Sequence, residues 1–268
     1  MTRRILVLCA LLGSLGTLAL VELARAQSMP VASPTPALVE VAIPRSPYAT
    51  TPALLRLGRS TYAERCADCH GAGGQGDGPD ARYLSPAPRD LTEGEYMFRT
   101  TESGALPTDW DIYRTLRRGL PGTSMPGWSG LPDRTTWALV AFLKSLSPRF
   151  TEEEPGVPLV IPSAPAPTDA SVARGREVYA RMQCGICHGS GGRGDGRAAA
   201  TLTDNHGRRV YAFDFTRGWK MKGGSAPEDI YRTFHTGIDG TPMPSYHDAI
   251  TESESWDLVY YTRSLFVR

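Results

Sequence analysis

Two pentapeptides in the sequence carry residue types suited to covalent capture of a porphyrin. Cys66-Ala67-Asp68-Cys69-His70 returns 118 positions later as Cys184-Gly185-Ile186-Cys187-His188. Thiols at this spacing can add to the two vinyl groups of haem, and the histidine that follows can bind the iron on one face. The pattern therefore predicts two covalent haem c groups. Their attachment residues would be Cys66, Cys69, Cys184 and Cys187, and their axial histidines His70 and His188.

Paired cysteines have two other common uses. The four thiolates together could hold a zinc ion, and each pair alone could be a thioredoxin-like redox centre. Zinc does not need a histidine directly after each second cysteine, and a thioredoxin site needs a strand–turn–helix context that the sequence does not offer. Haem attachment is the favoured interpretation.

A haem iron that only carries electrons needs a second axial ligand, and methionines occur at matching positions. Met125 follows His70 by 55 positions, and Met243 follows His188 by 55. They lie within Gly-Thr-Ser-Met-Pro and Gly-Thr-Pro-Met-Pro, where the proline stiffens the loop. Thioether ligation favours the ferrous state and raises the reduction potential. Met125 and Met243 are the predicted second ligands.

Other candidates for this position remain. Met97 and Met221 also correspond if the second half carries six extra residues before Met221 and six fewer after it. The histidines outside the motifs are His206, His235 and His247. They lie only in the second half, so we expect them at the surface. Among them, His247 is the one that would replace Met243 if that methionine were lost.

The elements that must position these residues also occur twice. Helices are predicted from Thr51-Pro52 to the first cysteine, from Asp109 to Arg118, and from Asp133 to Ser147. Asp111-Ile-Tyr-Arg-Thr115 recurs as Asp229-Ile-Tyr-Arg-Thr233, and the last helix recurs with Trp256 in the place of Trp137. The sequence therefore predicts an all-α chain made of two similar haem domains.

The ends and the middle of the chain differ from these halves in composition. Residues 1–26 combine Arg3 and Arg4, an apolar run and Ala24-Arg25-Ala26, which is typical of a cleaved signal peptide. An uncleaved membrane anchor is the alternative. The predicted organisation is a signal peptide over 1–26, a Pro-rich tether over 27–51, domain 1 over 52–148, a Pro-rich linker over 149–167 and domain 2 over 168–268. Export places the protein in the periplasm.

Charge and cysteine content narrow the function classes. The 268 residues contain 29 Lys and Arg against 28 Asp and Glu, so nothing predicts binding to nucleic acid. The fifth cysteine, Cys9, lies in the leader, which leaves no thiol outside the motifs for a structural disulfide in the mature chain.

With these motifs, each half resembles a class I c-type cytochrome domain along its whole length. The resemblance implies helices packed around haem, and it implies a dihaem cytochrome c that passes single electrons between a redox protein donor and an acceptor. Such proteins serve periplasmic oxidoreductases or respiratory chains. Membrane contact would come only from an uncleaved leader or a membrane complex.

The resemblance leaves one competing function and several supporting side chains. The alternative is a dihaem enzyme, of the peroxidase or thiosulfate-oxidising type, with one open iron. A methionine at the same place in both halves argues against it, and no catalytic residue is predicted. Trp128 and Tyr246 are candidates to pack on the haem edge, and Arg114 and Arg232 to pair with propionates.

Overall fold

The computed structural model describes residues 43–154 and 156–267. The predicted signal peptide and most of the Pro-rich tether lie outside this part. Within it, no helix is both long and apolar enough to cross a membrane.

Both halves are built from helices joined by long loops. The first half contains α1 (Pro52–Arg65), α2 (Ala67–His70), α3 (Asp109–Arg118) and α4 (Asp133–Lys144), and the short α5 (Arg149–Glu152) follows. The second half contains α6 (Asp169–Arg181), α7 (Gly185–His188), α8 (Pro227–Thr236) and α9 (Glu252–Ser264). Short 3₁₀ segments span Ala81–Tyr83, Ala199–Thr201 and Phe215–Lys220. Among the described residues, strand-like pairing is limited to one bridge between Thr203 and Arg209, so the all-α prediction is confirmed.

Side-chain caps explain where the longer helices begin. The Thr51 hydroxyl accepts a hydrogen bond from the Leu54 amide, with proline in the first turn, as the sequence predicts. Helix α3 begins after a Thr108–Asp111 capping box and ends before Gly119, at the predicted bounds. Helix α4 ends at Lys144 rather than Ser147, because Ser145 takes the C-cap position.

The first and last helices of each half cross at a glycine. A Cβ atom on Gly58 would lie 2.1 Å from the Ala138 carbonyl oxygen, and one on Gly175 would lie 1.9 Å from that of Asp257. Neither distance is possible for a real side chain, so only glycine lets α1 pack on α4 and α6 on α9. These crossings fix the direction in which α1 and α6 deliver the chain to the cysteine motifs.

Replacing Gly58 with alanine is expected to destabilise the holoprotein by about 1–3 kcal/mol, the usual cost of overpacking a close contact. Alanine's better helix propensity, worth about 1 kcal/mol, offsets only part of this. Gly130→Ala is the matched control, because a Cβ there meets no atom within 4 Å. Urea unfolding followed by circular dichroism would measure both. Equal midpoints for the two variants would contradict the crossing argument.

Each half has its own apolar core, and the halves also touch each other. In the first half Tyr62, Trp137 and Val140 are buried, and in the second half Tyr179 and Trp256. The linker is in contact with both halves. The Leu159 amide donates to the Thr100 carbonyl oxygen at 2.6 Å, and the Leu159 side chain packs against the second core. The two halves therefore form one packed unit.

Candidate haem sites

Each cysteine motif forms one turn of helix directly after a longer helix. The His70 amide donates to the Cys66 carbonyl oxygen at 2.8 Å, and the His188 amide to that of Cys184 at 2.9 Å. An i to i+4 bond of this kind brings the first cysteine and the histidine to the same face of the turn. The motif thus presents thiol and imidazole together, as covalent attachment and iron binding require.

The histidine rings are oriented by a matched pair of hydrogen bonds. His70 Nδ1 lies 3.1 Å from the Arg89 carbonyl oxygen, and His188 Nδ1 lies 3.0 Å from that of Phe213. A carbonyl oxygen can only accept, so each Nδ1 carries the proton and each Nε2 keeps its lone pair. Burial lowers the pKa of both rings, which favours this neutral form. This is the arrangement expected of a histidine that binds a metal through Nε2.

The glycine-rich turn after each motif folds tightly around an aspartate. Gly71 and Gly189 have φ of 79° and 77°. A Cβ at either position would lie 1.9 Å from an aspartate oxygen, of Asp77 and Asp195 respectively. This explains the aspartate seven residues after each histidine. The carbonyl oxygens of the two glycines accept a hydrogen bond from a core tyrosine hydroxyl at 2.7 Å, from Tyr62 in one half and Tyr179 in the other.

A cavity of about 110 Å³ opens in the first half. Cys66, His70 and Met125 line it, and most of its other lining side chains are apolar. Cofactor sites typically have mainly apolar walls with a few well-placed polar groups. A half-buried thiol, an imidazole with a free Nε2 and a thioether around one such space fit haem, which would be held by Cys66, His70 and Met125.

The two predicted methionine loops have the same hydrogen-bonded form. The Leu120 amide donates to the Met125 carbonyl oxygen at 3.0 Å, and the Ile238 amide to that of Met243 at 3.1 Å. The methionine amides donate to Thr123 Oγ1 at 3.1 Å and to Thr241 Oγ1 at 3.3 Å. The repeated glycine-threonine sequence therefore closes the same turn twice and presents a methionine from each.

The rival methionines lie in the same neighbourhoods. Met97 lines the first cavity together with Met125, and both Met221 and Met243 pack against the second core. Cys184 packs on the core of its own half as Cys66 does in the first, and in the second half the His188 ring also stacks on Phe215 with centroids 4.4 Å apart. Position alone does not separate the two pairs; the matched loops favour Met125 and Met243.

The zinc alternative does not fit the structure. Within residues 43–154 and 156–267, no group of three or more His, Cys, Asp or Glu side chains comes close enough to hold a metal ion. The two cysteine pairs belong to separate helices in separate halves. Burial raises the pKa of the Cys66 and Cys184 thiols to about 11.

The expectation that all three remaining histidines lie at the surface is wrong for His235. His206 and His247 are exposed, but His235 is 5% exposed and stacks on Tyr231. Ser255 Oγ donates to the Thr251 carbonyl oxygen at 2.8 Å, so it accepts from His235 Nε2–H at 2.9 Å. His235 Nδ1 therefore accepts from His247 at 3.1 Å.

The buried His235 should make the second half sensitive to acid. Burial lowers the pKa of His235 from 6.5 to about 4, and the neighbouring His247 acts in the same direction. As the pH falls, His235 therefore takes up a proton in the unfolded chain before it does so in the folded protein. The stability that the neutral, buried His235 contributes is present above pH 6.5 and is lost as the pH falls toward 4. We expect a loss of about 3 kcal/mol over this range. His235→Gln should flatten the dependence measured by urea unfolding. His206→Gln, the surface control, should leave the pH dependence of stability unchanged. Equal pH dependence in the parent protein and both variants would contradict the prediction.

The four supporting side chains lie in two settings. Trp128 and Tyr246 make equivalent backbone hydrogen bonds in their own halves. The Trp128 amide donates to the Leu116 carbonyl oxygen at 2.8 Å, and the Tyr246 amide donates to that of Phe234 at 2.8 Å. Arg114 and Arg232 instead pair with protein carboxylates, both through Asp229, at 3.4 Å and 2.9 Å. Arg232 is 3% exposed, so it is not a free surface arginine. These arginines belong to the contact between the halves.

Comparison with known families agrees with this geometry. A family model described as "Cytochrome C oxidase, cbb3-type, subunit III" matches residues 53–143, and one described as "Cytochrome c" matches residues 172–266. Each matched region contains one cysteine motif, its methionine loop and the helices around them. The chain belongs to the cytochrome c family and consists of two cytochrome c domains in tandem.

A solved structure shows the same arrangement of both domains. A chain from the "Kuenenia stuttgartiensis reducing HAO-like protein complex" is 40% identical to this one, with a TM-score of 0.79. The match covers 84% of this chain and 100% of that chain. The likeness therefore extends across both halves of the chain.

Proposed function

We propose that this protein transfers single electrons through two covalently bound haem c groups. Each iron is held between a histidine and a methionine, His70 with Met125 and His188 with Met243. The observation that carries the proposal is the duplicated pair of oriented elements: in each half an imidazole with Nδ1–H bound to a carbonyl and a closed turn that presents methionine. An iron with both axial positions occupied has no open position for a substrate, so two such irons suit electron transfer.

The bound group supplies the one-electron chemistry, and the chain supplies its position and surroundings. The carbonyl oxygens of Arg89 and Phe213 fix the tautomer and orientation of the two imidazoles. The short cysteine helices and the closed methionine turns hold both faces of each site. Apolar walls such as Leu116 and Leu143 exclude water in the first half, which favours the less charged ferrous state.

Absorption spectroscopy of the purified holoprotein tests this proposal. Methionine bound to ferric haem gives a weak near-infrared charge-transfer band, and we expect it at the intensity of two haems. A pyridine haemochrome assay should show two haems, each with two thioether bonds. Intensity for one haem, together with high-spin features, would overturn the proposal in favour of the enzyme with an open iron.

We also propose that this electron carrier works inside a redox protein complex in the periplasm. The related chain is part of an HAO-like protein complex, and the family match spans both halves of the present chain. A redox enzyme of that type would be the donor or the acceptor. Reduction of the holoprotein by a purified HAO-like enzyme, monitored in the visible region, tests the partner, with a single-domain bacterial cytochrome c as the control. Equal rates for both would contradict a dedicated partnership.

The predicted domain borders and leader form part of the same proposal. Cleavage after Ala26 would release a protein that keeps the tether and both domains. Sequencing of the mature N-terminus after expression with a haem-maturation system tests this. Recovery of Gln27 at the N-terminus is the expected result, and retention of Met1 with membrane association would indicate an anchor instead.

A further inference from the structure

The contact between the halves reaches the loop that carries Met243. Asp239 lies in that loop, four positions before the methionine. Its side chain is 8% exposed. It accepts hydrogen bonds from Arg99 Nη2 at 2.7 Å, Ser103 Oγ at 3.0 Å and the Gly104 amide at 3.0 Å. All three donors come from the first half. The second half's loop is thus held by the other domain.

Arg99 is itself fixed on both sides of this contact. Its side chain is fully buried, and its Nε donates to the Glu102 carbonyl oxygen at 2.9 Å within the first half. Its Nη2 also donates to the Thr236 carbonyl oxygen at 3.0 Å, where α8 ends and the loop begins. The guanidinium therefore binds the loop at its start and at Asp239.

Two further contacts hold the same loop against the first half. Arg89, whose carbonyl oxygen orients His70, donates from Nη2 to the Asp239 carbonyl oxygen at 3.4 Å. At Gly240 an added Cβ would lie 2.1 Å from Glu95 Oε1, so the loop backbone lies directly against this side chain. The loop therefore contacts the first half at two successive residues, Asp239 and Gly240.

Among residues 43–154 and 156–267, no such hydrogen bond or ion pair attaches the methionine loop of the first half to the other half. The residue aligned with Asp239 is Pro121, which has neither a carboxylate nor an amide hydrogen. A Cβ on Gly122, the counterpart of Gly240, would lie in ordinary contact, 3.5 Å from the Lys220 carbonyl oxygen. The two loops share their internal form but differ in what holds them. The attachment is therefore specific to Met243.

We propose that Arg99 is a positioning residue for the second haem: by binding Asp239 it holds the loop that keeps Met243 on the iron. The inference rests on the proposed His/Met ligation. Because the Ile238 amide bonds to the Met243 carbonyl oxygen at 3.1 Å, the segment from 238 to 243 moves as one turn. Movement at Asp239 then moves the methionine, and the first domain controls how often the second iron is exposed to other ligands.

The double variant Arg99→Met/Asp239→Ala tests the proposal without leaving a buried charge unpaired. Imidazole competes with methionine for ferric haem, and its apparent affinity follows the fraction of time that the loop is open. We expect imidazole to bind the second haem about tenfold more tightly than in the parent protein. The Met243 methyl signal in the proton NMR spectrum of the reduced protein should shift, and that of Met125 should not. Met125→Ala and Met243→Ala assign the two signals.

Arg114→Met is the matched control. Arg114 also joins the halves, through Asp229 at 3.4 Å, but Asp229 belongs to α8 and not to the loop. We expect this variant to leave imidazole affinity and both methyl signals unchanged. Equal effects of the control and the double variant, or no effect of either, would overturn the proposal.

Failure of this inference can be separated from failure of the proposed function. If Met243→Ala leaves the near-infrared band intact, the ligand assignment is wrong. If Met243→Ala removes half of the band while the double variant binds imidazole like the parent protein, only the role of Arg99 is wrong.

Discussion

Met125→Ala is expected to abolish the share of the near-infrared band that belongs to the first haem. It should also lower the reduction potential of that haem on the order of 0.1 V, a fraction of the ~0.8 V range that axial ligands span. Removing a neutral thioether withdraws the ligand that favours ferrous iron. Spectroelectrochemical titration of the holoprotein would measure both changes. The second haem should keep its potential, because Met243 lies in a different loop.

Met97→Ala is the matched control for this prediction. Met97 lines the same cavity as Met125 and carries the same side chain. It does not lie in the loop closed by the Leu120–Met125 and Met125–Thr123 hydrogen bonds. We expect its removal to leave the band in place. Loss of the band in Met97→Ala, with Met125→Ala unchanged, would assign the ligand to Met97. The same pair of experiments applies to Met243 and Met221.

Cys66→Ser/Cys69→Ser is expected to prevent covalent attachment at the first site and to unfold much of the first half. The cavity of about 110 Å³ lies within the core formed by α1, α3 and α4. Leaving such a space without its occupant forfeits the contacts of its walls, and the cost rises with cavity volume. We expect the loss to approach the ~5–15 kcal/mol by which whole domains are stable.

Mass spectrometry and circular dichroism together check this prediction. The intact mass should fall by one haem, and helical signal should decrease by more than the helix α2 itself contributes. Cys69→Ser alone is the graded control, because Cys66 can still form one thioether bond. A double variant that retained two covalent haems, or that kept its full helical signal without the first haem, would contradict the prediction.

The duplicated local features were readable from the sequence, because they depend on short-range chemistry. Helix α3 begins and ends at the predicted residues, since Thr108, Asp111 and Gly119 supply its caps locally. The pentapeptides form helical turns with their histidines oriented alike. The family and the all-α fold followed from these repeats, and both are confirmed.

Long-range contacts were not predictable from the repeats. Arg114 and Arg232 were expected beside propionates or at the surface, yet Arg114 pairs with Asp229 across the halves and Arg232 pairs with it within α8. His235 was expected to be exposed, yet it is buried on Tyr231. Asp229 lies 115 positions from Arg114, and Ser255, which accepts from His235, lies on α9. Local sequence patterns could not indicate either contact, because each partner lies on a separate helix.

The sequence by itself determined the two cysteine motifs, their spacing to the methionines and the helices around them, because each depends on residues close together in the chain. Only the tertiary structure decided how the halves meet. Arg99 and Asp239 are 140 positions apart, and no repeat links them, since Asp239 replaces the proline of the first half. Burial of this pair became visible only when folding brought the two domains into contact.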